Sequence, residues 1–437
     1  MRQIYGVLGA LLISSAPGYA QNLDISATLE TRYSFGTQSG KSQSAEIELR
    51  PVWELRLSDR WSFQGGARFR TDAFDRLEVG RPSQDIVDPL TRRALIGQTT
   101  EIELREAFFQ YAGDFTTVRF GKQQIVWGRA VGIKVLDIVN PQSFREFILD
   151  DFDQSRTPLW SFLVEHTIAG LDVQGFGIFD QTFNEAPPRG SVFDITAPSF
   201  VPTFLGPLPT SVVVNDIDRP NDRLGNSEFG LQVSGLAGNW DFSLNFLHTY
   251  EDAPFFDFES RPDRTTITPR LNRVNILGGS FANSWGDFTL RGEATYTFKE
   301  DIPIGFQTGV TLAQAESDVV RYIVGLDYVG IKDTFISAQF FQQINLRKFP
   351  NALVPRVEEF TTFLVRHTID DGDWTLDFRW YANHDSKDGI IRSLVTRQIN
   401  DQMKVSFGGD FFYGHRNGVF GQFNEADRLS LTFSHVY

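Results

Sequence analysis

The 437-residue chain contains no cysteine, which excludes disulfide bonds and thiolate metal sites as sources of stability. Beyond residue 20 it has no run of about 18 consecutive apolar residues, the length that a membrane-spanning helix requires. Basic residues are outnumbered by acidic ones, 41 to 55, so the chain is not expected to bind nucleic acid. The fold must therefore be stabilised by backbone pairing and side-chain packing.

The first 20 residues have the order of a secretory signal peptide. Arg2 supplies a positive charge, Ile4 to Ile13 form an apolar stretch, and the small residues Gly18 and Ala20 stand before the expected cleavage site. We predict cleavage after Ala20, which leaves residues 21–437 as the mature protein.

Phenylalanine is abundant, with 41 residues, yet the mean hydropathy of the chain is −0.22. Apolar side chains are therefore interleaved with polar ones, as where Phe288 and Leu290 alternate with Thr289 and Arg291. Strict alternation predicts a β-strand with one apolar and one polar face. Strands are predicted near residues 23–35, 45–57, 61–71, 101–112, 115–127, 158–169, 171–180, 227–238, 240–250, 270–282, 286–298, 318–329, 334–345, 357–369, 373–383, 389–400, 403–413 and 427–437.

The connections between these segments alternate between tight turns, such as 58–60 and 283–285, and longer loops. Aromatic residues recur beside the tight turns, at Trp61, Trp240 and Trp374. This asymmetry is typical of an all-β, antiparallel transmembrane barrel of the outer membrane, here of about 18 strands, with the tight turns at the periplasmic face. A secreted soluble β-sandwich or β-helix would explain the alternation but not the turn lengths.

Outer-membrane lipid and lipopolysaccharide are therefore the expected surroundings. The last segment ends in an aromatic residue, Tyr437, and resembles the signal read by the barrel-assembly machinery, so this machinery is a predicted partner.

The polar faces of the early strands predict the lining of the lumen. Acidic and basic side chains alternate between neighbouring strands, which favours a salt-bridged inner wall over a charged path that orients a polar solute. Both interpretations remain open. The predicted lumen residues are Arg50, Arg56, Arg68, Arg70, Glu101, Glu103, Arg119 and Lys122.

Residues 131–156 are too apolar for an exposed connection, and we predict that they fold back into the lumen as a constriction or plug. Asn140 is expected to cap a short helix with Pro141 at its first position. The alternative is a loop helix packed on the rim. The charged residues predicted to meet the barrel wall are Arg129, Lys134, Asp137, Arg145 and Glu146.

Residues 181–226 form a predicted long extracellular loop, whose stretch 191–214 is unusually apolar. Such a stretch is either an entry site for a hydrophobic substrate or a lid held by loop packing.

Catalysis was considered at the six histidines. His384 with Asp385, and His248 with Glu251, are candidate dyads near outer strand ends, but no hydrolase motif or phosphate-binding loop accompanies them. The sequence therefore predicts a barrel that is not an enzyme and holds no cofactor or metal.

The run from Gly121 to Arg129, Gly-Lys-Gln-Gln-Ile-Val-Trp-Gly-Arg, followed by residues 134–141 and 144–147, resembles the Gram-negative outer-membrane family catalogued as domain of unknown function 1302. The resemblance implies an outer-membrane location and a link to envelope transport, with members often thought to work beside inner-membrane exporters of hydrophobic compounds. The leading prediction is a channel or channel-like transporter. A carrier for hydrophobic or lipid-like molecules, an export arm with a periplasmic or inner-membrane partner, and a structural or enzymatic barrel are the alternatives.

The turn asymmetry makes a topological prediction. Epitope tags inserted after Gly40, Pro187, Pro262 or Asn351 should be reached by antibody on intact cells, whereas tags beside Asp59, Gly238 or Gly372 should not. Labelling of the second set on intact cells would overturn the orientation.

Overall fold

A computed structural model describes residues 22–437 except 81–83, 131, 198, 202–210, 218–224, 262 and 305–312. The predicted signal peptide lies outside the described residues. Among the described residues no helix is both long enough and apolar enough to cross a membrane.

The described residues form 22 strands, one α-helix and two short 3-10 helices. The helix is Phe152–Ser155, and the 3-10 helices are Asp370–Gly372 and Gly421–Ala426. The strands are β1 Leu23–Gly36, β2 Ser42–Arg56, β3 Trp61–Asp72, β4 Ala94–Ile96, β5 Thr100–Ala112, β6 Thr116–Gln123, β7 Leu159–Ile168, β8 Leu171–Ile178, β9 Val212–Val214, β10 Glu228–Ala237, β11 Trp240–Tyr250, β12 Phe255–Ser260, β13 Thr265–Arg270, β14 Arg273–Trp285, β15 Phe288–Ile304, β16 Ala313–Tyr328, β17 Thr334–Asn345, β18 Val357–Ile369, β19 Trp374–Asn383, β20 Asp388–Asn400, β21 Met403–Tyr413 and β22 Arg428–Val436.

Eighteen of these strands form one closed antiparallel barrel, which confirms the predicted fold class. Strands that are consecutive in the wall pair with each other, and β1 pairs with β22 from Thr28 opposite Val436 to Gly36 opposite Arg428. Closure leaves the sheet without a free edge, so the wall satisfies its own backbone hydrogen bonds.

The alternation predicted from the sequence separates the two faces of the wall. Ile47 and Phe407 are exposed on the outer face, whereas their neighbours Glu46 and Ser406 are buried on the inner face. The apolar residues of the strands thus cover the outside of the barrel.

The connections differ in length at the two ends of the barrel. One end has the tight turns 57–60, 113–115, 169–170, 238–239, 286–287, 329–333, 370–373 and 401–402. The other end has the long connections, although 37–41 and 384–387 are short. We call these the turn end and the loop end.

Two strand boundaries differ from the prediction. The turn expected at 283–285 is wrong, because β14 continues to Trp285, which pairs with Phe288. Gly286 makes the turn with a φ of 55°, a conformation that glycine adopts without strain. The segment expected to extend to 127 leaves the wall after Gln123.

The loop end carries short strands that the sequence did not predict. β12 and β13 form a hairpin, and β9 from the long loop after β8 pairs with β13 in parallel. β4 pairs with Thr100 to Ile102 of β5, beyond the part of β5 that pairs with β6. Part of the predicted loop 181–226 lies outside the described residues, namely 198, 202–210 and 218–224.

The helix predicted to begin at Asn140 is wrong. Asn140 bonds to two distant backbone groups instead of capping its own segment, and residues 144–147 form a turn. The short helix of this region, Phe152–Ser155, lies further along the chain.

Candidate functional site

The connection between β6 and β7, described for residues 124–130 and 132–158, runs inside the barrel, where it contacts several strands of the wall. We call it the inner loop. Its two ends are joined through Asn140, whose Oδ1 accepts a hydrogen bond from the Ile125 N–H at 2.8 Å and whose Nδ2 donates to the Thr157 carbonyl at 2.9 Å. A single amide therefore satisfies backbone groups that have left the wall.

The first half of the inner loop is attached by apolar packing. Ile125, Trp127, Leu136 and Val139 are buried in one cluster with inward-facing wall residues. Those wall residues include Leu163, Phe176 and Leu247. The Trp127 Nε1–H donates to Gln174 Oε1 at 2.8 Å, which satisfies its polar atom. The lumen is therefore not polar throughout, because the loop covers an apolar part of the inner wall.

Glu293 of β15 fixes the backbone of this half. Its carboxylate accepts hydrogen bonds from the N–H groups of Arg129, of Ala130 at 2.7 Å and of Leu136 at 3.1 Å. Gly128 allows this close approach, since a Cβ there would lie 2.8 Å from Glu293 Oε1 and φ is 80°. Hydrogen bonds to a charged acceptor are among the stronger ones in proteins.

The second half of the inner loop is attached by ion pairs. Arg145 donates to Glu46 of β2 at 2.5 Å. Glu146 pairs with Arg32 of β1 and, at 2.6 Å, with Arg428 of β22. These strands meet where the barrel closes, so the two adjacent loop residues connect to both sides of the closing seam.

The ion pairs continue into neighbouring loops. Arg145 also contacts Glu78 at 2.9 Å, and Glu78 contacts Arg93 at 3.1 Å. Arg93 pairs in turn with Glu101 of β5 at 2.7 Å and with Glu185 of the long loop after β8. Three loops are thereby held in one buried network with the wall, a network that is costly to break at any single member.

Aromatic side chains pack above this network. Phe147 contacts Phe420 and Phe423, and Phe193 of the long loop contacts Phe423 and Phe412. Phe147 has a φ of 56°, a left-handed conformation that a bulky residue adopts only when its surroundings enforce it. The described part of the apolar stretch 191–214 around Phe193 therefore packs on other loops.

Two cavities lie on opposite sides of the inner loop. The aromatic cavity has a volume of about 480 Å³ and is bounded by loops and by β17 to β19. The charged cavity, of about 260 Å³, is lined by eight basic and six acidic residues, mostly from the strands. Asp150 lines both, and the other residues of 148–155, except Asp153, line one or the other. This short segment is the partition between them.

Comparisons with known proteins identify the chain's relatives. A family described as a protein of unknown function (DUF1302) matches residues 48–318. The chain belongs to this family. No curated protein matches it.

Solved outer-membrane structures resemble this DUF1302 chain in fold. Acinetobacter baumannii OccAB2 is 8% identical, with a TM-score of 0.54 over 95% of this chain and 98% of its own. Pseudomonas aeruginosa OpdK, solved with vanillate, is 9% identical, with a TM-score of 0.52 over 96% and 100%. At such identities the likeness shows the barrel fold alone.

In this DUF1302 chain, six of the residues predicted from the sequence belong to one network. Arg145 and Glu146 are its loop members, and Glu78 connects them to the wall. Arg70 contacts Glu101 at 2.7 Å, and Arg68 contacts Glu103 at 2.5 Å. The predicted residues in the network are Arg68, Arg70, Glu101, Glu103, Arg145 and Glu146.

Lys134 and Asp137 lie together beside the aromatic cavity. The Lys134 ammonium is 3.4 Å from Asp137, which also pairs with Arg156 at 2.8 Å. Arg50 instead lines the charged cavity, where it contacts Glu30 and Glu48.

Three of the remaining predicted residues, Arg56, Arg119 and Arg129, lie apart from the network, whereas Lys122 lies beside it. Arg56 pairs with Asp24 at the turn end, and Arg119 contacts Gln110 at 2.8 Å. The Arg129 side chain reaches Asp241, at 2.6 Å. Lys122 is buried at the end of β6 and interacts with Glu103.

Sequence reasoning missed residues that complete the site. Arg32 and Arg428 were not singled out, although both occupy polar positions of the alternating pattern in the first and last strands. A search of the closing strands for inward charges would have found them. Glu78, Arg93 and Glu185 lie in loops, where no periodicity marks an inward position.

The two candidate histidine dyads do not form within the described residues. His384 Nε2 bonds to the Thr361 hydroxyl, while Asp385 accepts the Glu359 N–H. His248 Nδ1 lies 2.7 Å from Asn275 Oδ1.

Asp150 in the partition is a carboxyl group without an ion pair in the described part of the chain. Burial and the nearby Glu146 raise its pKa to about 6, against the opposing effect of Arg32, Arg145 and Arg70. Although burial acts against it, Arg32 and Arg428 lower the pKa of Glu146. The two neighbouring carboxyl groups therefore titrate in different pH ranges.

Replacing Glu293 by Gln should loosen the first half of the inner loop. The amide cannot reproduce three charge-assisted hydrogen bonds, so hydrogen exchange at the Arg129, Ala130 and Leu136 amides should accelerate roughly 10- to 100-fold. Mass-spectrometric exchange on the folded barrel measures this. Glu54→Gln, a change in the wall near the turn end, is the control, and equal exchange in the two variants would contradict the anchoring role.

Acidification should strengthen the attachment of the partition inside the lumen, which we call its seating. Ionised Asp150 opposes seating, and this opposition disappears as the pH falls from above 6 toward 4, because protonation removes a buried charge worth up to about 3 kcal/mol. Glu146 remains ionised through most of this range. Ion conductance across a planar bilayer should therefore decrease between pH 7 and pH 4.5.

The Asp150→Asn variant should conduct at pH 7 as the wild type does at low pH. Glu185, whose pKa burial raises to about 7, titrates in the same window, so the difference between variant and wild type isolates Asp150. The exposed-turn variant Asp59→Asn should keep the wild-type response. An Asp150→Asn protein with the full wild-type pH response would refute this assignment.

Proposed function

We propose that the protein lies in the outer membrane and conducts a solute through its lumen, with the inner loop as the constriction. The observation that carries the proposal is the division of one closed barrel into two cavities by the partition 148–155. A loop segment that crosses the lumen of a barrel is placed to control the passage of solutes through it.

The attachment of the inner loop supports this function over a purely structural one. A buried ion-pair network contributes little net stability compared with apolar packing, since desolvation offsets much of the attraction. Such a network does, however, suit a loop that detaches reversibly from the wall, because each separated charge regains hydration in a water-filled lumen. The mixed signs of the charged cavity suit a polar solute without selecting strongly for one sign.

A carrier for hydrophobic or lipid-like molecules is the second candidate. It is favoured by the aromatic cavity, which lies at the loop end and has eight aromatic residues in its lining. Apolar concave sites of several hundred Å³ are typical of small-molecule binding. The partners predicted from the sequence, among them the assembly machinery and an inner-membrane exporter, remain predictions.

Replacing residues 133–150 by a short Gly/Ser linker tests the constriction. The variant removes Arg145 and Glu146 together with the first three residues of the partition, 148–150, so a larger single-channel conductance in planar bilayers is expected from a barrel that still folds. Heat-modifiable migration in electrophoresis reports folding. Wild-type conductance from a folded variant would refute the constriction.

A finer variant keeps the loop and removes only its ion pairs. Arg145→Ala combined with Glu146→Ala should give more frequent fluctuations between low and high conductance. The matched control is Arg56→Ala combined with Asp24→Ala, which removes an ion pair between the same strands, β1 and β2, away from the loop. Identical single-channel conductance traces from the two double variants would argue against gating by the ion pairs of Arg145 and Glu146.

A further inference from the structure

The aromatic cavity has the dimensions and lining of a binding site. Its volume of about 480 Å³ falls in the range of roughly 300 to 1,000 Å³ that small-molecule sites occupy. Rings from the inner loop, the wall and other loops surround it. The aromatic lining residues are Phe144, Phe147, Phe152, Phe200, Phe341, Phe360, Tyr381 and Phe420.

The charged residues of this lining are predominantly acidic. Four carboxyl groups, those of Asp137, Asp150, Asp252 and Glu358, face a single ammonium group, that of Lys134. Asp137 is neutralised by Arg156 and Lys134. The other three carboxyl groups, all half-buried, form no ion pair within the described residues, and desolvation of a carboxylate without a paired cation is costly.

Asp252 illustrates this cost. It lies in the connection after β11, and its charged neighbour is another carboxyl group, Glu228 of β10. Burial, together with Glu228, raises the pKa of Asp252 well above its usual value. Glu358 of β18 accepts a hydrogen bond from the neutral Asn383 at 2.9 Å, and Arg321 of β16 attracts its charge without forming an ion pair with it.

The cavity already holds one ammonium group against an aromatic ring. Lys134 Nζ lies 4.3 Å from the centroid of the Phe152 ring and donates to Gln142 Oε1 at 2.6 Å. Attraction between a cation and the face of a ring strengthens when water is excluded. The side chain of the protein itself therefore shows how this wall accommodates an alkylammonium ion.

We propose that the aromatic cavity binds an amphipathic organic cation, an ammonium group carried on an apolar body. The rings would cover the apolar body, and Asp252 and Glu358 would neutralise the ammonium charge. The inference rests on the proposed function and names the substrate class of that passage. An anion of the same shape would add a further negative charge beside carboxyl groups that form no ion pair, and a neutral analogue would leave those groups without a paired cation.

The test compares three probes of nearly equal shape, namely 4-phenylbutylamine, 4-phenylbutan-1-ol and 4-phenylbutyrate. Each is titrated calorimetrically into the mature barrel in lipid nanodiscs at pH 7.5, with empty nanodiscs subtracted to remove partition into lipid. The amine should bind on the order of tenfold more tightly than the alcohol, and the butyrate should bind most weakly. This order is measured on the unaltered protein and needs no variant.

Substitutions then locate the site. Asp252→Asn and Glu358→Gln should each weaken binding of the amine by roughly tenfold while leaving the alcohol unchanged. Asp59→Asn, at the turn end, is the matched control and should bind all three probes as the wild type does.

Equal affinity for amine and alcohol, tighter binding of the butyrate, or no binding of any probe would overturn the inference. Loss of amine binding in Asp59→Asn as large as in Asp252→Asn would overturn it as well. Binding is read independently of conductance, so a barrel that conducts without preferring the amine refutes the substrate class alone. A barrel that prefers the amine but shows no passage refutes the proposed function alone.

Discussion

Two adjacent residues, Arg145 and Glu146, connect the inner loop to the seam at which the barrel closes. Arg32 of β1 and Arg428 of β22 come together only when these strands pair, and both then contact Glu146. Arg145 reaches Glu46 on the next strand. The site that Glu146 occupies therefore exists only in the closed barrel, so attachment of the second half of the loop depends on barrel closure.

The two halves of the inner loop are attached to the wall by different kinds of interaction. The first half is covered by apolar side chains and aligned by one carboxylate, Glu293, that bonds to three backbone N–H groups. The second half is held by charges. The inner loop also divides the lumen into two chemically different cavities. Aromatic rings line the cavity toward the loop end, and charged strand residues line the cavity on the other side of the loop.

The wall was predictable because a barrel strand with an apolar outer face and a polar inner face alternates strictly. The same rule explains the error after Gln123. Outward-facing Phe120 lies at an even-numbered position, whereas Ile125 and Trp127 lie at odd-numbered positions, which alternation assigns to the inner face, and they pack on an apolar surface inside the barrel. Alternation also identifies inward charges without identifying their partners, since the pair Arg32 and Glu146 is separated by 114 positions. Asn140 has the residue type of a cap, yet its bonds to Ile125 and Thr157 depend on loop ends that only the fold brings together.

The energetics of the two halves indicate which part moves during passage. Lifting Ile125, Trp127, Leu136 and Val139 from the wall would expose both them and the inward-facing Leu163, Phe176 and Leu247 to water, and each buried large apolar side chain contributes about 1.5 to 3 kcal/mol. Separating the ion pairs of Arg145 and Glu146 costs less when water enters, because hydration replaces the lost attraction. The first half is therefore a permanent part of the inner wall. In the transport proposed above, the lumen would open at residues 144–156, where the partition and the half-buried Asp150 lie.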